Sequence, residues 1–338
     1  MDKDQIAQLQ NLLANPKDIV LVPHKNPDGD AMGSTLALCR YLNQNGHQAH
    51  VVAPNDYPKF LRWLPGQEHV VKFDKQNEKA QRLIKDAELI FTLDFNSLSR
   101  TGDMEPALEE ATADFVMIDH HQQPEEYALV SYSDVSICAT CQMVYHTLEM
   151  LDATAGIDSE MATCLYTGIM TDTGSFRFRS TSATTHRVIA SLIDKGADNS
   201  LIHQQIYDVN SPKRMQLLGT ALQNLNALPE YQTAYISLSQ EELDAHNYEK
   251  GDTDGFVNYA LSLENTKLAL IFIENRQEGI IKISLRSEGD FSVNAMARAH
   301  FSGGGHINAA GGRSNKSMEE TIAYFISILP DYKDELYA

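Results

Sequence analysis

The sequence predicts an α/β protein built on a parallel sheet covered by helices, with a smaller α/β domain after it. Three observations lead there. Apolar runs without polar alternation recur in the first half, which is how strands buried on both faces read. Helical patterns separate those runs, the mark of strand–helix–strand crossovers. A second, shorter series of strands and helices begins after a proline-containing break.

Taken in order, Ile19-Val20-Leu21-Val22 forms most of the first strand candidate, 18–22, and a helical pattern over 31–45 follows it. Strand candidates at 49–53, 88–93 and 114–118 come next, with helices at 78–86 and 139–151. A helix-like run covers Ser159 to Met170. Residues 182–228 read as mostly helical, with Val188, Ile189, Leu192 and Ile193 on one apolar face. The break at Ala227-Leu228-Pro229-Glu230 predicts domains 1–228 and 229–338. In the second, strands near 233–238, 267–274 and 279–286 accompany helices near 255–263 and 291–300. A chain of 338 residues with 43% hydrophobic side chains is long enough for two cores.

Composition narrows the function. A net charge of −19 argues against a long basic groove for duplex nucleic acid, whose affinity comes from counterions released by Lys and Arg. A small anion gripped at a metal centre remains compatible, because bound cations reverse the local sign. No apolar run approaches the roughly 20 residues of a membrane span. The start, Met1-Asp2-Lys3-Asp4-Gln5, is acidic and polar, unlike a secretion signal, so a cytoplasmic protein with no membrane partner is expected. Cys39, Cys138, Cys141 and Cys164 make no disulfide framework. Cys138-Ala139-Thr140-Cys141 has C-x-x-C spacing, but without a second pair for zinc it is expected to pack at a helix start.

Ligand-type residues gather where the strand candidates end. Asp119-His120-His121 follows the apolar Phe115-Val116-Met117-Ile118, and His24-Lys25-Asn26-Pro27-Asp28-Gly29-Asp30 follows the first strand. The glycine between Asp28 and Asp30 lets both carboxylates turn toward one cavity. Asp94 ends a third strand, and Asp172 follows the helix-like run. Singly, each has an ordinary explanation: an Asp after a strand commonly caps the next helix, and Asp28-Gly29 reads as a turn. Together they deliver carboxylates and imidazoles from four segments, three at the carboxyl ends of parallel strands, where open sheets bind ligands. Their mutual repulsion calls for a cation. Carboxylate and imidazole donors without thiolate suit Mn²⁺, with Mg²⁺, Co²⁺ or Zn²⁺ as alternatives.

These motifs resemble the DHH phosphoesterases, whose His-x-x-x-Asp-x-Asp, strand-end Asp, Asp-His-His and further Asp occur here in family order. Near the end of the chain, Gly303-Gly304-Gly305-His306 within Phe301 to Gly312 is similar to the signature of the associated DHHA1 domain. Among such proteins the chain looks most like the type that degrades very short RNA and dephosphorylates 3′-phosphoadenosine 5′-phosphate (pAp). Ser99-Arg100-Thr101-Gly102, Thr171 to Phe176 and Ser284-Leu285-Arg286-Ser287 fit that subgroup.

The resemblance implies a metal-binding domain and a mixed-sheet nucleotide-binding domain with a cleft between them. It implies two divalent ions, most readily Mn²⁺, with His24 and Asp28 on one, Asp30 and His120 on the other, and Asp94 and Asp172 shared. Two such ions activate a hydroxide for in-line attack on phosphorus. Asp119 is expected to orient His120 or brace the loop, and His121 to face the phosphoryl oxygens or the leaving group as the catalytic pair with Asp119. Gly303, Gly304, Gly305 and His306 are expected to offer backbone N–H groups and an imidazole to the substrate, and Arg286 to bind a phosphate bidentately, with Arg100 as a further candidate. The expected substrates are small nucleotides and short single-stranded RNA, and the resemblance implies pairing into a homodimer. Two other readings stay open: a cyclic or linear dinucleotide phosphodiesterase (cyclic di-AMP or pApA), and a nucleotide- or RNA-binding module without catalysis. The complete ligand set speaks against the last.

Overall fold

The computed structural model describes residues 1–338, which fall into two compact units, Met1–Val209 and Asn210–Ala338. In the first, β1 (Asp18–Pro23), β2 (Gln48–Ala53), β3 (Val71–Lys72), β4 (Leu89–Leu93), β5 (Asp114–Asp119) and β6 (Val130–Ser133) form one sheet. Its order is β3-β2-β1-β4-β5-β6 and every pairing is parallel. The helices are α1 (Lys3–Leu12), α2 (Gly29–Gln44), α3 (Asn77–Asp86), α4 (Glu105–Glu109), α5 (Thr140–Met150), α6 (Ser159–Asp172), α7 (Ala183–Asp194) and α8 (Asn199–Tyr207). Both faces of the sheet are covered, which explains the unbroken apolar runs. On β1, Ile19 and Leu21 pack with Leu36 and Leu38 of α2, while Val20 and Val22 pack on the other side with Ile84 of α3.

From β1 the chain winds out to β2 and β3, then returns to β4 on the opposite side of β1. At such a switch point the two flanking connections leave in opposite directions and open a crevice beyond the strand ends. His24 follows β1 and Asp94 follows β4, so both stand at that crevice.

Helices α2 and α6 approach so closely that glycine is required between them. A Cβ at Gly33 would lie 2.5 Å from the Cys164 carbonyl oxygen, one at Gly29 would lie 2.4 Å from Thr171 Oγ1, and one at Gly168 would lie 2.2 Å from Cys141 Sγ. The contact brings Asp30, in the first turn of α2, beside the end of α6, where Asp172 sits.

The second unit contains α9 (Pro212–Gln223), β7 (Asn226–Leu228), β8 (Thr233–Leu238), α10 (Gln240–Ala245), α11 (Val257–Leu261), β9 (Leu268–Asn275), β10 (Ile280–Ser287), α12 (Val293–His300), β11 (Gly304–Gly305), β12 (Ala309–Ser314) and α13 (Met318–Ile328). Its sheet runs β11-β12-β10-β9-β8-β7 and is mixed, with β8 and β9 parallel and the other pairs antiparallel.

Two sequence expectations differ from the structure. The units divide at Val209/Asn210, earlier than 228/229, because α9 buries Leu217, Leu218 and Ala221 in one core with Ala234 and Ile236 of β8. Val188, Ile189 and Leu192 of α7 are buried, but Ile193 is 42% exposed, since it falls one position past the edge of the apolar stripe.

Candidate metal centre

The carboxylates and imidazoles of the first unit converge in three overlapping groups: His24, Asp28 and Asp94; Asp30, His120 and Asp172; and Asp94, Asp119 and His121. Within each, the donor atoms lie within 4.8 Å of one another. Asp94 joins the first two groups, its Oδ2 3.5 Å from His24 Nε2 and its Oδ1 3.3 Å from His120 Nε2. Asp28 Oδ2 stands 3.9 Å from His24 Nε2, and Asp172 Oδ2 and Asp30 Oδ2 stand 3.6 and 3.8 Å from His120 Nε2.

Local structure explains each position. Asp28 is the N-cap of α2: its Oδ1 accepts the N–H groups of Asp30 and Ala31 at 3.0 and 3.1 Å, while Oδ2 turns to His24. Asp30 is buried beneath it and accepts from the first N–H groups of α5, Thr140 at 2.6 Å and Cys141 at 2.8 Å, so a helix N-terminus holds its charge. Asp94 does not cap a helix. It follows β4 in the left-handed region (φ 68°), which an Asp tolerates better than most residues, and receives the Thr140 hydroxyl at 3.0 Å. His24 and His120 each place Nδ1 against a backbone carbonyl, Lys25 at 2.9 Å and Ile137 at 3.0 Å, and these contacts assign an N–H to Nδ1 and turn Nε2 toward the carboxylates, where a bound cation would take the place of its proton.

Asp119 is fully buried and serves His121: its Oδ1 accepts from His121 Nδ1 at 2.7 Å and its Oδ2 from the His121 backbone N–H at 3.1 Å. The expected pairing of Asp119 with His120 is not formed, because the Ile137 carbonyl takes the nitrogen of His120 that Asp119 would have held. Sequence reading missed Thr140, which reaches both Asp30 and Asp94, and Gly168. Cys138 and Cys141 pack at the start of α5 as expected. Burial pushes the Cys138 thiol up to about 12 and Cys141 well above the ordinary range, so neither is a thiolate.

The charges fit a cation. Burial raises Asp30 well above the usual carboxylate range, and Asp94 and Asp172 raise it further. Burial, with Asp28 and Asp94 adding to it, pushes Asp172 up to about 7 against the opposing charge of His120. For His24, burial acts downward but the contacts with Asp94 and Asp28 win, and the imidazole rises to about 9. His120 rises for the same reason, while burial of Asp94 is outweighed by His120 and His24, which hold it well below its ordinary value. Protons thus balance a surplus of carboxylates that divalent ions would balance better, and the donors are the oxygens and imidazoles those ions prefer.

A pH prediction follows. An entering cation must displace protons from His24 and, below about pH 7, from Asp172 as well, so Mn²⁺ affinity should weaken as pH falls from about 9. Calorimetry in buffers of different ionisation enthalpy should show more protons released at about pH 6.5 than at about pH 8. Equal or zero release at both would exclude these ligands.

Arg100 is exposed and near enough to His24 for its charge to lower that imidazole's affinity for a proton, and its carbonyl accepts from Lys25 N–H at 2.8 Å. In the second unit Arg286 lies on β10, its Nη1 donating to the Leu285 carbonyl at 2.9 Å. In the glycine loop two of the backbone N–H groups are already engaged. Gly303 N–H donates to the Ala297 carbonyl at 3.1 Å and Gly305 N–H to Asn294 Oδ1 at 3.0 Å, so neither is presented to a phosphate. These glycines answer crowding by β12: a Cβ on Gly303 would lie 2.0 Å from the Gly311 carbonyl oxygen, and one on Gly305, at φ 152°, would lie 2.5 Å from that of Ala309.

Comparison with known proteins agrees with this geometry. Residues 18–169 match the DHH family, N-terminal domain, and residues 230–332 match the DHHA1 domain. A bifunctional oligoribonuclease and PAP phosphatase, NrnA, of Thermus thermophilus is 32% identical over 90% of this chain and 86% of its own. The chain belongs to the DHH family. This DHH protein is a hydrolase of the phosphoesterase class. It is also similar to the crystal structure of an exopolyphosphatase-related protein from Bacteroides fragilis, at 37% identity and a TM-score of 0.95 over 100% of this chain and 98% of that one. A cyclic-di-AMP phosphodiesterase, GdpP, of Bacillus subtilis is 26% identical over 96% of this chain but only 49% of its own. No helix of the DHH protein is long and apolar enough to cross a membrane.

Proposed function

We propose that the chain is a Mn²⁺-dependent phosphoesterase that hydrolyses short oligoribonucleotides to mononucleotides and removes the 3′-phosphate of pAp. The observation that carries the reading is the complete donor set at the switch point of the parallel sheet, in a chain whose 32%-identical relative bears those two activities in its name. His24, Asp28 and Asp94 would hold one ion, and Asp30, His120 and Asp172, with Asp94 shared, the other. When bound, the ions supply positive charge to the phosphoryl oxygens and an activated water near neutral pH.

The side chains do the rest. Asp119 accepts from His121 Nδ1 and so orients the ring, which leaves Nε2 as the candidate to pass a proton to the leaving oxygen. Asp119→Asn keeps the shape and removes the charge, so it should lower kcat by about a hundredfold with little change in KM. Steady-state kinetics check this, and an unchanged kcat would remove His121 from the chemistry. In the second unit, Arg286 and His306 are the candidate nucleotide-binding groups.

The test is product analysis with Mn²⁺, Mg²⁺ and Co²⁺ on four substrates: pApA, pAp, an RNA of a few dozen nucleotides, and cyclic di-AMP. Turnover of the first two with the others largely intact is expected. Preference for cyclic di-AMP would support the reading that the resemblance to GdpP favours. No turnover of any would point to a different phosphoester substrate or to a nucleotide-binding module.

A further inference from the structure

Directly after Asp172 the backbone turns left-handed for three residues: Gly174 (φ 56°), Ser175 (φ 61°) and Phe176 (φ 66°). Glycine adopts this freely, but a bulky aromatic residue is strained there, and such strain persists only where the surroundings enforce it. Here Ser175 N–H donates to the Met170 carbonyl at 2.8 Å and Phe176 N–H to Thr173 Oγ1 at 3.0 Å. The turn sets the half-exposed Phe176 ring 6.0 Å from the exposed His186 ring and 6.4 Å from His203, with Tyr166 edge-on behind it at 5.7 Å. His203 is fixed at both nitrogens, Nδ1 donating to the Asn199 carbonyl at 2.8 Å and Nε2 meeting Ser175 Oγ at 3.1 Å.

Beyond Phe176 the sequence runs Arg177-Phe178-Arg179, with both arginines exposed. Arg177 is steadied by Nε donating to the Gly174 carbonyl at 2.9 Å and by the Phe178 ring 5.9 Å away. In a chain of net charge −19, guanidinium groups alternating with aromatic rings form the pattern that binds a single strand: rings stack bases and cations track phosphates. Phe176 is four positions along the chain from Asp172, a reach of at most about 14 Å. None of these side chains is a donor of the metal centre.

We propose that Ser175–Arg179, with His186 and His203, forms a second nucleotide subsite. A base stacks on Phe176 and His186, and Arg177 and Arg179 contact the phosphate next to the one being cleaved. The inference rests on the oligoribonucleotide reading above. It also separates that protein's substrates, because pAp has a single base and cannot fill both the metal-adjacent position and this one.

The experiment compares kcat/KM for a 5′-phosphorylated triadenylate and for pAp in the Mn²⁺-loaded full chain, with R177A/R179A and H186A as variants of exposed residues. In each, the triadenylate-to-pAp ratio should fall about tenfold, through KM rather than kcat. A ratio within twofold of the unsubstituted chain in both variants overturns the subsite, whether activity is unchanged or both substrates decline together, as a purely structural role would cause. If the unsubstituted chain cleaves pAp but not triadenylate, the oligoribonucleotide reading itself has failed. That outcome appears before any variant is made and takes the subsite with it.

Discussion

Replacing Asp94 with Asn is expected to lower turnover of every phosphoester substrate by roughly a thousandfold to ten-thousandfold, the loss of several kcal/mol of charge stabilisation in the transition state. Asp94 is the carboxylate closest to both His24 and His120, so its loss weakens both groups of donors at once. Asn is the informative substitution because it also tolerates the left-handed backbone and can still accept the Thr140 hydroxyl. His24 and His120 hold the Asp94 carboxyl well below the ordinary carboxylate value, so removing its charge also leaves those imidazoles without their nearest partner, and the metal-free variant should melt lower than the parent. Melting curves with and without Mn²⁺ should therefore show a lowered metal-free transition and, beyond that, a smaller rise on adding metal. Turnover within tenfold of the parent would remove Asp94 from the centre.

Gly168→Ala should damage both stability and activity although it adds a single methyl group. That methyl would lie 2.2 Å from Cys141 Sγ, 2.8 Å from Asp30 Oδ1 and 3.0 Å from the Asp30 Cα, and the last is backbone. Overpacking of this kind costs about 1–3 kcal/mol. Relief would come from separating α2 and α6, the pair that brings Asp30 to Asp172, and a displacement near 1 Å at reacting groups costs about a hundredfold in rate. A lowered melting temperature with kcat down about a hundredfold is expected. Full activity in a destabilised protein would mean that α2 and α6 adjust without moving Asp30.

Much of the site was legible because parallel strands buried on both faces write continuous apolar runs, and the residues that end those runs are set by connectivity alone. His24, Asp94 and Asp119-His120 could be placed at one sheet edge without a structure. Strands without an apolar run were not legible: β3 is two residues long, and β12, Ala309–Ser314, is rich in glycine and alanine, so its strand form comes from pairing with β10 and β11 and not from propensity. Side-chain partners were no more legible. Asp119 adjoins His120 in sequence yet holds His121, because the choice depends on the Ile137 carbonyl from a distant turn. The glycines at 303–305 invited a phosphate-cradle reading, but strand crowding selects the same residue type. Thr140 and Gly168 sent no signal, since a threonine at a helix start and a glycine within a helix acquire meaning only from what another element places beside them.

The strand order has a consequence for how the protein comes into being. The sheet grows outward from β1 on both sides, so β1 stays half-paired until β4 arrives, long after β2 and β3 are made. The donors arrive in the same staggered way, His24 first and Asp172 last. During synthesis no fragment that stops short of Asp172 carries the whole donor set. Hydrolytic competence then reports that every layer of the first unit has closed, and a refolding experiment that follows it should lag behind one that follows helix content.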